Sequence, residues 1–283
     1  MCEESIMKKV LIAGANSYIG ESFKSFLMRY QNEYTVSEIA TKGLIPTASM
    51  FKGFDVIFCV VGIAHIKENF KNRQLYFEVN RDLVVSIAKA AKEAGVEQFI
   101  LLSSMSVYGL KVGHIRKNTK PHPVTAYGEA KLQADEEIKK LESDDFKFVC
   151  LRAPMVYGHN CRGNYQALRK FALRSPIFPD YENKRSMIYI GNLCEFVKVC
   201  IDSERQGLFF PQNAEYTNTS RMVELIAREH GKKIKLTRVF NWILKAIPIS
   251  LIKKVFGNLT YEPVDRVEKY GFEESIKLTE ENV

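Results

Sequence analysis

Runs of strand length alternate along the first half of the chain with longer segments in which apolar residues recur every three or four positions. The runs stand at residues 8–13, 34–40, 54–61, 96–103 and 146–151. Helical patterns separate them, reaching to about residue 30, from about residue 80 to residue 94, and from residue 127 to about residue 142. Strands that alternate with helices at this spacing predict an α/β fold with a doubly wound parallel sheet. Ligands of such a sheet bind at the carboxyl ends of its strands.

The pattern changes after residue 158. The remaining elements are predicted as helices at residues 165–173, 193–201 and 219–230, a loop at residues 175–180 and a short strand at residues 185–190. A polar, proline-containing loop is predicted at residues 111–123, over the site. We therefore predict one domain at residues 1–160, which residues 187–203 rejoin, and a smaller C-terminal domain at residues 161–283.

Residues 240–256 (FNWILKAIPISLIKKVF) combine aromatic, aliphatic and lysine side chains. We interpret them as a packed helix pair that is broken at Pro248, and the alternative is a segment that lies on a membrane surface. No apolar run of the chain reaches the length that spans a bilayer. We therefore expect no membrane insertion.

Charge and cysteine content narrow the class of protein. The formal net charge is +8, but the Lys and Arg residues are spread along the chain without a basic block or a nucleic-acid motif. This distribution suits a protein that binds several phosphates, with no nucleic-acid partner. The six cysteines form no C-x-x-C pair and have no histidine at zinc-finger spacing, so we expect no metal site. The acidic residues 1–4 lack the basic start of a signal peptide, and we expect a reduced, cytoplasmic location.

A glycine-rich turn, GANSYIG at residues 14–20, follows the first predicted strand and opens a helix. In this context Gly14 permits a tight turn and Gly20 permits close packing of helix on strand, while N–H groups at the helix start face a pyrophosphate. Ser17 replaces the usual middle glycine and narrows the approach of the backbone to the phosphate. The turn, with Asn16 and Ser17, is predicted to bind a dinucleotide.

The end of the second predicted strand bears on the choice between NAD(H) and NADP(H). An NAD enzyme usually carries Asp or Glu there, to hold the ribose 2′-hydroxyl. This chain has Ala40, Thr41 and Lys42 at the strand end, and Glu38 lies two residues too early. A missing acid beside a cation favours a 2′-phosphate, so we expect Thr41 and Lys42 to contact NADP(H), with NAD(H) as the alternative.

The loop after the third predicted strand provides further cofactor contacts. Gly62 suits a close approach of the backbone to the cofactor, and Val61 precedes it. We interpret His65, in the same loop, as a solvated residue and not as a catalytic one.

A possible catalytic group combines Ser104 with Tyr127 and Lys131. A tyrosine and a lysine four residues apart project from one face of a helix. A positioned ammonium favours the phenolate, which predicts a Tyr127 pKa well below its reference value of roughly 10. The phenol of Tyr127 can exchange a proton with the carbonyl oxygen of a substrate. A serine at the end of a strand supplies a second hydroxyl to that oxygen. Proton exchange at that oxygen beside a nicotinamide is dehydrogenase chemistry.

Seven segments follow one another along the chain: GANSYIG at 14–20, FDVIFCVVG at 54–62, EVN at 78–80, LLSSMSVYG at 101–109, YGEAK at 127–131, LRAPMVYG at 151–158 and RSMIYIGNL at 185–193. In this order and spacing the chain resembles the extended short-chain dehydrogenase/reductase superfamily, specifically its nucleotide-sugar epimerase/dehydratase branch. The resemblance implies a Rossmann-type cofactor domain, a C-terminal substrate-binding domain and a UDP-sugar substrate. It also implies a homodimer.

The same resemblance assigns roles to individual residues. It implies that Ser104 is the catalytic Ser/Thr, that Tyr127 is the acid/base, and that Lys131 tunes the tyrosine and holds the nicotinamide ribose. Further matches to family positions are the cofactor contacts Tyr18, Ile19 and Asn80 and the substrate diphosphate contacts Asn164 and Arg185.

Segments RAPMVYG, GNYQ and PIFPD…RSMIYI look most like capsular-polysaccharide enzymes that reduce the 4-keto group of a UDP-2-acetamido-2,6-dideoxy-hexulose. The resemblance therefore implies a 4-keto reductase in polysaccharide precursor synthesis. The alternatives are a UDP-hexose C4 epimerase with tightly bound NAD and, from another class, a non-catalytic NAD(P)-binding or redox-sensing protein. Met155 and the pair Gly191-Asn192 depart from the family pattern at substrate positions, whereas the proton-transfer residues do not.

Overall fold

The computed structural model describes residues 7–64, 68–239, 241–242 and 250–281. The chain divides into two compact units. The first comprises Met1–Gly109, Pro121–Ala153 and Cys194–Phe209, and the second comprises Leu110–Lys120, Pro154–Leu193 and Phe210–Val283. The assignment of cofactor and substrate to separate domains stays a prediction, because compactness does not show what a unit binds.

The elements up to residue 153 are β1 (Lys8–Ala13), α1 (Tyr18–Leu27), β2 (Tyr34–Ile39), β3 (Val56–Cys59), α2 (Arg73–Phe77), α3 (Val84–Glu93), β4 (Gln98–Ser104), β5 (Gly113–Ile115), α4 (Ala126–Lys139) and β6 (Lys147–Ala153). The later elements are β7 (Met155–Tyr157), α5 (Asn164–Arg174), β8 (Ile177–Pro179), β9 (Met187–Tyr189), α6 (Ile190–Asp202), β10 (Gly207–Phe209), β11 (Gln212–Asn213), α7 (Thr219–Glu229), β12 (Lys235–Thr237), α8 (Ser250–Phe256), β13 (Leu259–Tyr261), β14 (Arg266–Val267) and α9 (Phe272–Glu280).

The first unit is built on a six-stranded sheet with the order β10-β6-β4-β3-β1-β2, in which every pairing is parallel. The predicted doubly wound parallel sheet is confirmed. The chain moves from β1 outward to β2 and then crosses to β3 on the other side, so β1 and β3 flank the point where the winding reverses. In open α/β sheets ligands bind at this switch point, outside the carboxyl ends of the strands.

Burial explains why these strands were readable from the sequence. The central strands are covered on both faces, which selects continuous apolar runs, and Val10–Ala13 and Val56–Cys59 are buried throughout. Strand β2 lies at the sheet edge and is correspondingly more polar. The core against α3 and α4 is formed by side chains such as Ile57, Leu101 and Ile138.

Some element boundaries differ from the sequence prediction. The helix expected from about residue 80 begins at Arg73 and passes through a π-helical turn, Glu78–Leu83, before α3. The loop expected at residues 111–123 contains β5, which pairs with β13 nearly 150 residues later in the chain. The pairing partner is remote in sequence, so local pattern does not reveal this strand. The strand expected at residues 185–190 is shorter, because α6 already begins at Ile190.

The second unit contains four two-stranded parallel pairings: β5 with β13, β7 with β9, β8 with β12, and β11 with β14. Residues 240 and 243–249 of the interpreted helix pair lie outside the described residues, and so does His65. Within the described part of the chain, no helix has the length and hydropathy needed to cross a bilayer.

Candidate active site

The glycine-rich turn stands at the switch point and connects β1 to α1. Gly14 has a φ of 121°, and a Cβ at this position would lie 2.8 Å from Val60 Cγ2. Ser17 is the N-cap of α1, where its Oγ accepts a hydrogen bond from the Gly20 N–H at 3.1 Å. A Cβ at Gly20 would lie 2.7 Å from Ser17 Oγ and 3.1 Å from the Gly14 carbonyl oxygen, which disfavours any side chain there. Glycines therefore begin and end this turn at the start of a helix, an arrangement that fits a pyrophosphate.

Ser17 has a structural reason for replacing glycine. As an N-cap it stabilises the first turn of α1, a contribution of about 1 kcal/mol. Asn16 supplies the left-handed conformation of the turn with a φ of 62°. Asn16 is exposed, whereas Tyr18 and Ile19 are half-buried at the helix start.

The loop after β3 is held by a buried asparagine. Asn80 Oδ1 accepts from the Ile63 N–H at 3.0 Å, and its Nδ2 donates to the Tyr76 carbonyl at 3.1 Å. A Cβ at Gly62 would lie 2.6 Å from Asn80 Oδ1. Asn80 is fully buried and holds the backbone at Ile63, next to Gly62, at the switch point. Its direct contact with the cofactor stays a prediction.

Strand β2 ends at Ile39, and Ala40, Thr41 and Lys42 follow it as expected. Glu38 lies inside the strand, where Lys24 of α1 forms an ion pair with its carboxylate. The strand end therefore offers no carboxylate to a ribose. Lys42 is exposed and Thr41 is half-buried.

Ser104 and Tyr127 come from neighbouring structures at the carboxyl edge of the sheet. Ser104 ends β4, and its Oγ accepts from the Ser106 N–H at 3.1 Å. Helix α4 starts at Ala126, whose N–H donates to Glu68 Oε2 at 2.9 Å. The helix can approach the end of β4 because residue 128 is glycine: a Cβ there would lie 2.6 Å from the Ser106 carbonyl oxygen. Sequence reasoning missed this role of Gly128, although it follows Tyr127 directly.

The pKa of Tyr127 differs from the prediction. Burial raises the pKa of Tyr127 above its ordinary value, and an interaction with the Ser104 hydroxyl opposes this rise. Lys131 lies one turn further along α4, and its Nζ donates to the carbonyls of Val61 at 3.0 Å and Leu102 at 2.9 Å. Burial lowers the pKa of Lys131. The predicted depression of the Tyr127 pKa is wrong here, because burial outweighs the other effects. A tyrosine that keeps its proton at neutral pH suits a proton donor.

A buried polar network lies behind these residues. Asp135 Oδ2 accepts from Ser103 Oγ and from Arg152 Nε, each at 3.0 Å, and Arg152 Nη1 donates to Tyr108 Oη at 2.8 Å. All four side chains are buried. The network joins the end of β4, helix α4, strand β6 and the short helix after Ser104. Sequence reasoning missed it, because its members are scattered over four elements.

The predicted diphosphate contacts lie in the second unit. Arg185 is half-buried, its Nη1 donates to the Gly257 carbonyl at 2.8 Å, and burial lowers its pKa. Among the described residues it has no carboxylate partner. Asn164 is exposed and is the first residue of α5. The described residues show no group of three or more side chains that could hold a metal ion.

Residues 10–210 match the model of the NAD dependent epimerase/dehydratase family. The chain belongs to this family. The predicted resemblance, the enzyme class and the NAD(P) cofactor are thereby confirmed. The roles of the individual site residues stay predictions.

Proteins that are similar to this chain in sequence or in structure have two kinds of activity in their names. A UDP-glucose 4-epimerase of Vibrio cholerae is 27% identical over 91% of this chain and 85% of its own. UDP-glucuronic acid 4-epimerase of Bacillus cereus, solved with NAD, superposes with a TM-score of 0.76 at 17% identity, covering 96% of this chain and 97% of its own. dTDP-4-dehydrorhamnose reductase of Bacillus anthracis, solved with NADP, superposes with a TM-score of 0.73 at 15% identity, covering 98% of this chain and 100% of its own. The structural likenesses show a shared fold.

Proposed function

We propose that the protein is an NAD(P)H-dependent reductase of a 4-keto-6-deoxy-HexNAc UDP-sugar, acting in the synthesis of a polysaccharide precursor. The observation that carries the choice of reduction is the end of β2. No carboxylate stands there, and the only acidic side chain of the strand, Glu38, is engaged by Lys24. A carboxylate at this point would repel the 2′-phosphate of NADPH, so its absence favours the cofactor that reductive biosynthesis uses.

NAD(P)H, when bound at the glycine-rich turn, would supply the hydride for reduction of the keto carbon. Tyr127 donates its phenolic proton to the carbonyl oxygen as the oxygen becomes a hydroxyl, and its raised pKa keeps that proton available at neutral pH. Ser104 donates a hydrogen bond to the same oxygen. Burial lowers the pKa of Lys131, while Asp135 one turn away opposes this shift and favours the protonated lysine.

The C4-epimerase alternative rests on the family relatives, whose names include two 4-epimerases. An epimerase would use the same serine, tyrosine and lysine, but it oxidises and then reduces one carbon with a cofactor that never leaves. A non-catalytic sensor has no use for this group of residues. Identification of the nucleotide that the protein retains on purification distinguishes the reductase from the epimerase. Tightly held NAD with interconversion of UDP-hexoses would replace the reductase proposal, whereas oxidation of added NADPH by a 4-keto-sugar nucleotide would support it.

Lys42→Ala should weaken NADPH binding about tenfold and leave NADH binding unchanged. A single charge-assisted contact to the 2′-phosphate accounts for this loss. Titration of each cofactor by calorimetry measures both affinities. Lys52→Ala, which removes another exposed lysine of the same unit, is the control and should change neither. A clear preference of the wild type for NADH would overturn the prediction and favour the epimerase.

Arg185→Ala should weaken UDP binding by about 1.5–3 kcal/mol, the scale of hydrogen bonds to charged groups, and leave NAD(P) binding unchanged. The Arg185 guanidinium has no carboxylate partner among the described residues, and its shape matches diphosphate oxygens. Calorimetry with UDP and with each dinucleotide tests the selectivity. Lys184→Ala removes the neighbouring exposed cation and should have little effect. Equal loss of both ligands in Arg185→Ala would refute the assignment.

A further inference from the structure

Two long stretches of the second unit contain cations and no carboxylate. Residues 154–179 include Arg162, Arg169, Lys170 and Arg174 but no Asp or Glu. Residues 232–261 include seven Lys or Arg and again no Asp or Glu. The chain as a whole carries 33 acidic residues, so their exclusion from both stretches concentrates positive charge.

The fold brings the two stretches together. Strand β8, from the first stretch, pairs with β12, from the second, and this places Ile177 beside Lys235. Lys232 Nζ donates to the Leu173 carbonyl, at the end of α5, at 2.6 Å. The end of α5 and the strands β8 and β12 therefore form one continuous surface within the second unit.

Large apolar side chains are exposed on and beside this surface. The exposed fractions are 45% for Phe171, 41% for Ile177, and 70% each for Val239 and Trp242. Trp242 is the only tryptophan of the chain. Phe171 is held in place by Phe178, whose ring meets it edge-on at 5.2 Å. Large apolar groups that are exposed together mark an interaction site.

Cations surround these apolar groups. Lys170 and Arg174 line a cavity of about 420 Å³ together with Phe171 and Pro176. Lys170, Arg174 and Lys235 form no ion pair with any other described residue. By contrast, Arg169 is paired with the buried Glu280, and Arg238 is paired with Asp180.

This combination fits the surface of an anionic bilayer. Basic residues bind anionic headgroups, aromatic residues partition into the interface, and aliphatic residues enter the acyl boundary. A nucleic acid would use the cations and stack on Phe171 or Trp242, but it has no use for Ile177 and Val239. The apolar content therefore favours a membrane.

We propose that this cationic apolar face, formed by Lys170, Phe171, Arg174, Ile177, Lys235, Val239 and Trp242, docks the second unit onto anionic phospholipid membranes. The docking is peripheral, because the face binds the membrane surface without crossing the bilayer. It goes beyond the proposed reductase activity and is independent of it. The enzyme would work at the membrane surface while its catalytic residues remain in the first unit.

Vesicle binding tests the proposal on the full chain, because the single tryptophan reports its own surroundings. With vesicles of phosphatidylcholine and phosphatidylglycerol, the Trp242 emission should shift to shorter wavelength and the protein should sediment with the vesicles. Added salt should weaken this binding, and pure phosphatidylcholine should bind much less. The double variant Lys170→Glu/Arg174→Glu should bind at least about tenfold more weakly, since each basic residue near the surface contributes to binding.

Lys117→Glu/Lys120→Glu is the matched control, since it makes the same charge change at exposed lysines elsewhere in the second unit. It should retain membrane binding. Keto-reductase activity of Lys170→Glu/Arg174→Glu in solution should equal that of the wild type, which separates this proposal from the proposed function. Absence of binding to anionic vesicles, equal loss in the two double variants, or tighter binding to duplex DNA than to the vesicles would overturn it.

Discussion

Tyr127→Phe is expected to lower turnover about 10²–10⁴-fold while the protein remains folded. This range is the usual contribution of a positioned general acid. The phenol is half-buried, interacts with Ser104 and has a raised pKa, which fits its proposed role as the proton donor. Steady-state rates on a 4-keto-sugar nucleotide measure the loss, and thermal unfolding checks the fold.

Tyr76→Phe is the control for Tyr127→Phe, because its ring lies edge-on to the Tyr127 ring with centroids 6.5 Å apart. It removes a hydroxyl near the site without removing the proposed donor, and it should retain most activity. Retention of more than about a tenth of the wild-type rate by Tyr127→Phe would show that another group donates the proton.

Arg152→Met should destabilise the protein by about 3–5 kcal/mol, the cost of leaving a buried charge without its partner. Asp135 is fully enclosed, and burial already raises its pKa although Arg152 opposes the rise. Urea unfolding measures the loss. The double variant Asp135→Leu/Arg152→Met removes both charges and should recover most of the lost stability.

The loss of folding stability in Arg152→Met should also depend on pH. Without Arg152 the folded-state pKa of Asp135 lies still further above its unfolded value. Stability then falls as pH rises through the interval between the two values, and it recovers as pH falls and the carboxyl is protonated. Arg221→Met, at an exposed ion pair with Glu273, is the control and should cost at most about 1 kcal/mol. A similar small cost in Arg152→Met would show that the network contributes little to stability.

The sheet was readable from the sequence because parallel strands covered on both faces are short apolar runs. Spacing alone likewise placed Ser104 near Tyr127, since the ends of strands and the starts of helices meet at one edge. The Asp135–Arg152 network was not readable, because its members meet only through the tertiary fold. The direction of the Tyr127 pKa was also beyond local spacing, which shows neither the burial of the phenol nor the carbonyls that hold Lys131.

The close packing around Gly62 constrains how this protein can evolve. A Cβ at residue 62 would lie 2.6 Å from Asn80 Oδ1 and 3.3 Å from Lys131 Nζ, so the three positions cannot vary independently. A library randomised at residue 62 alone should be almost entirely inactive. Functional sequences with a side chain at that position require a compensating change at residue 80, which makes these positions a point of epistasis in the predicted cofactor site.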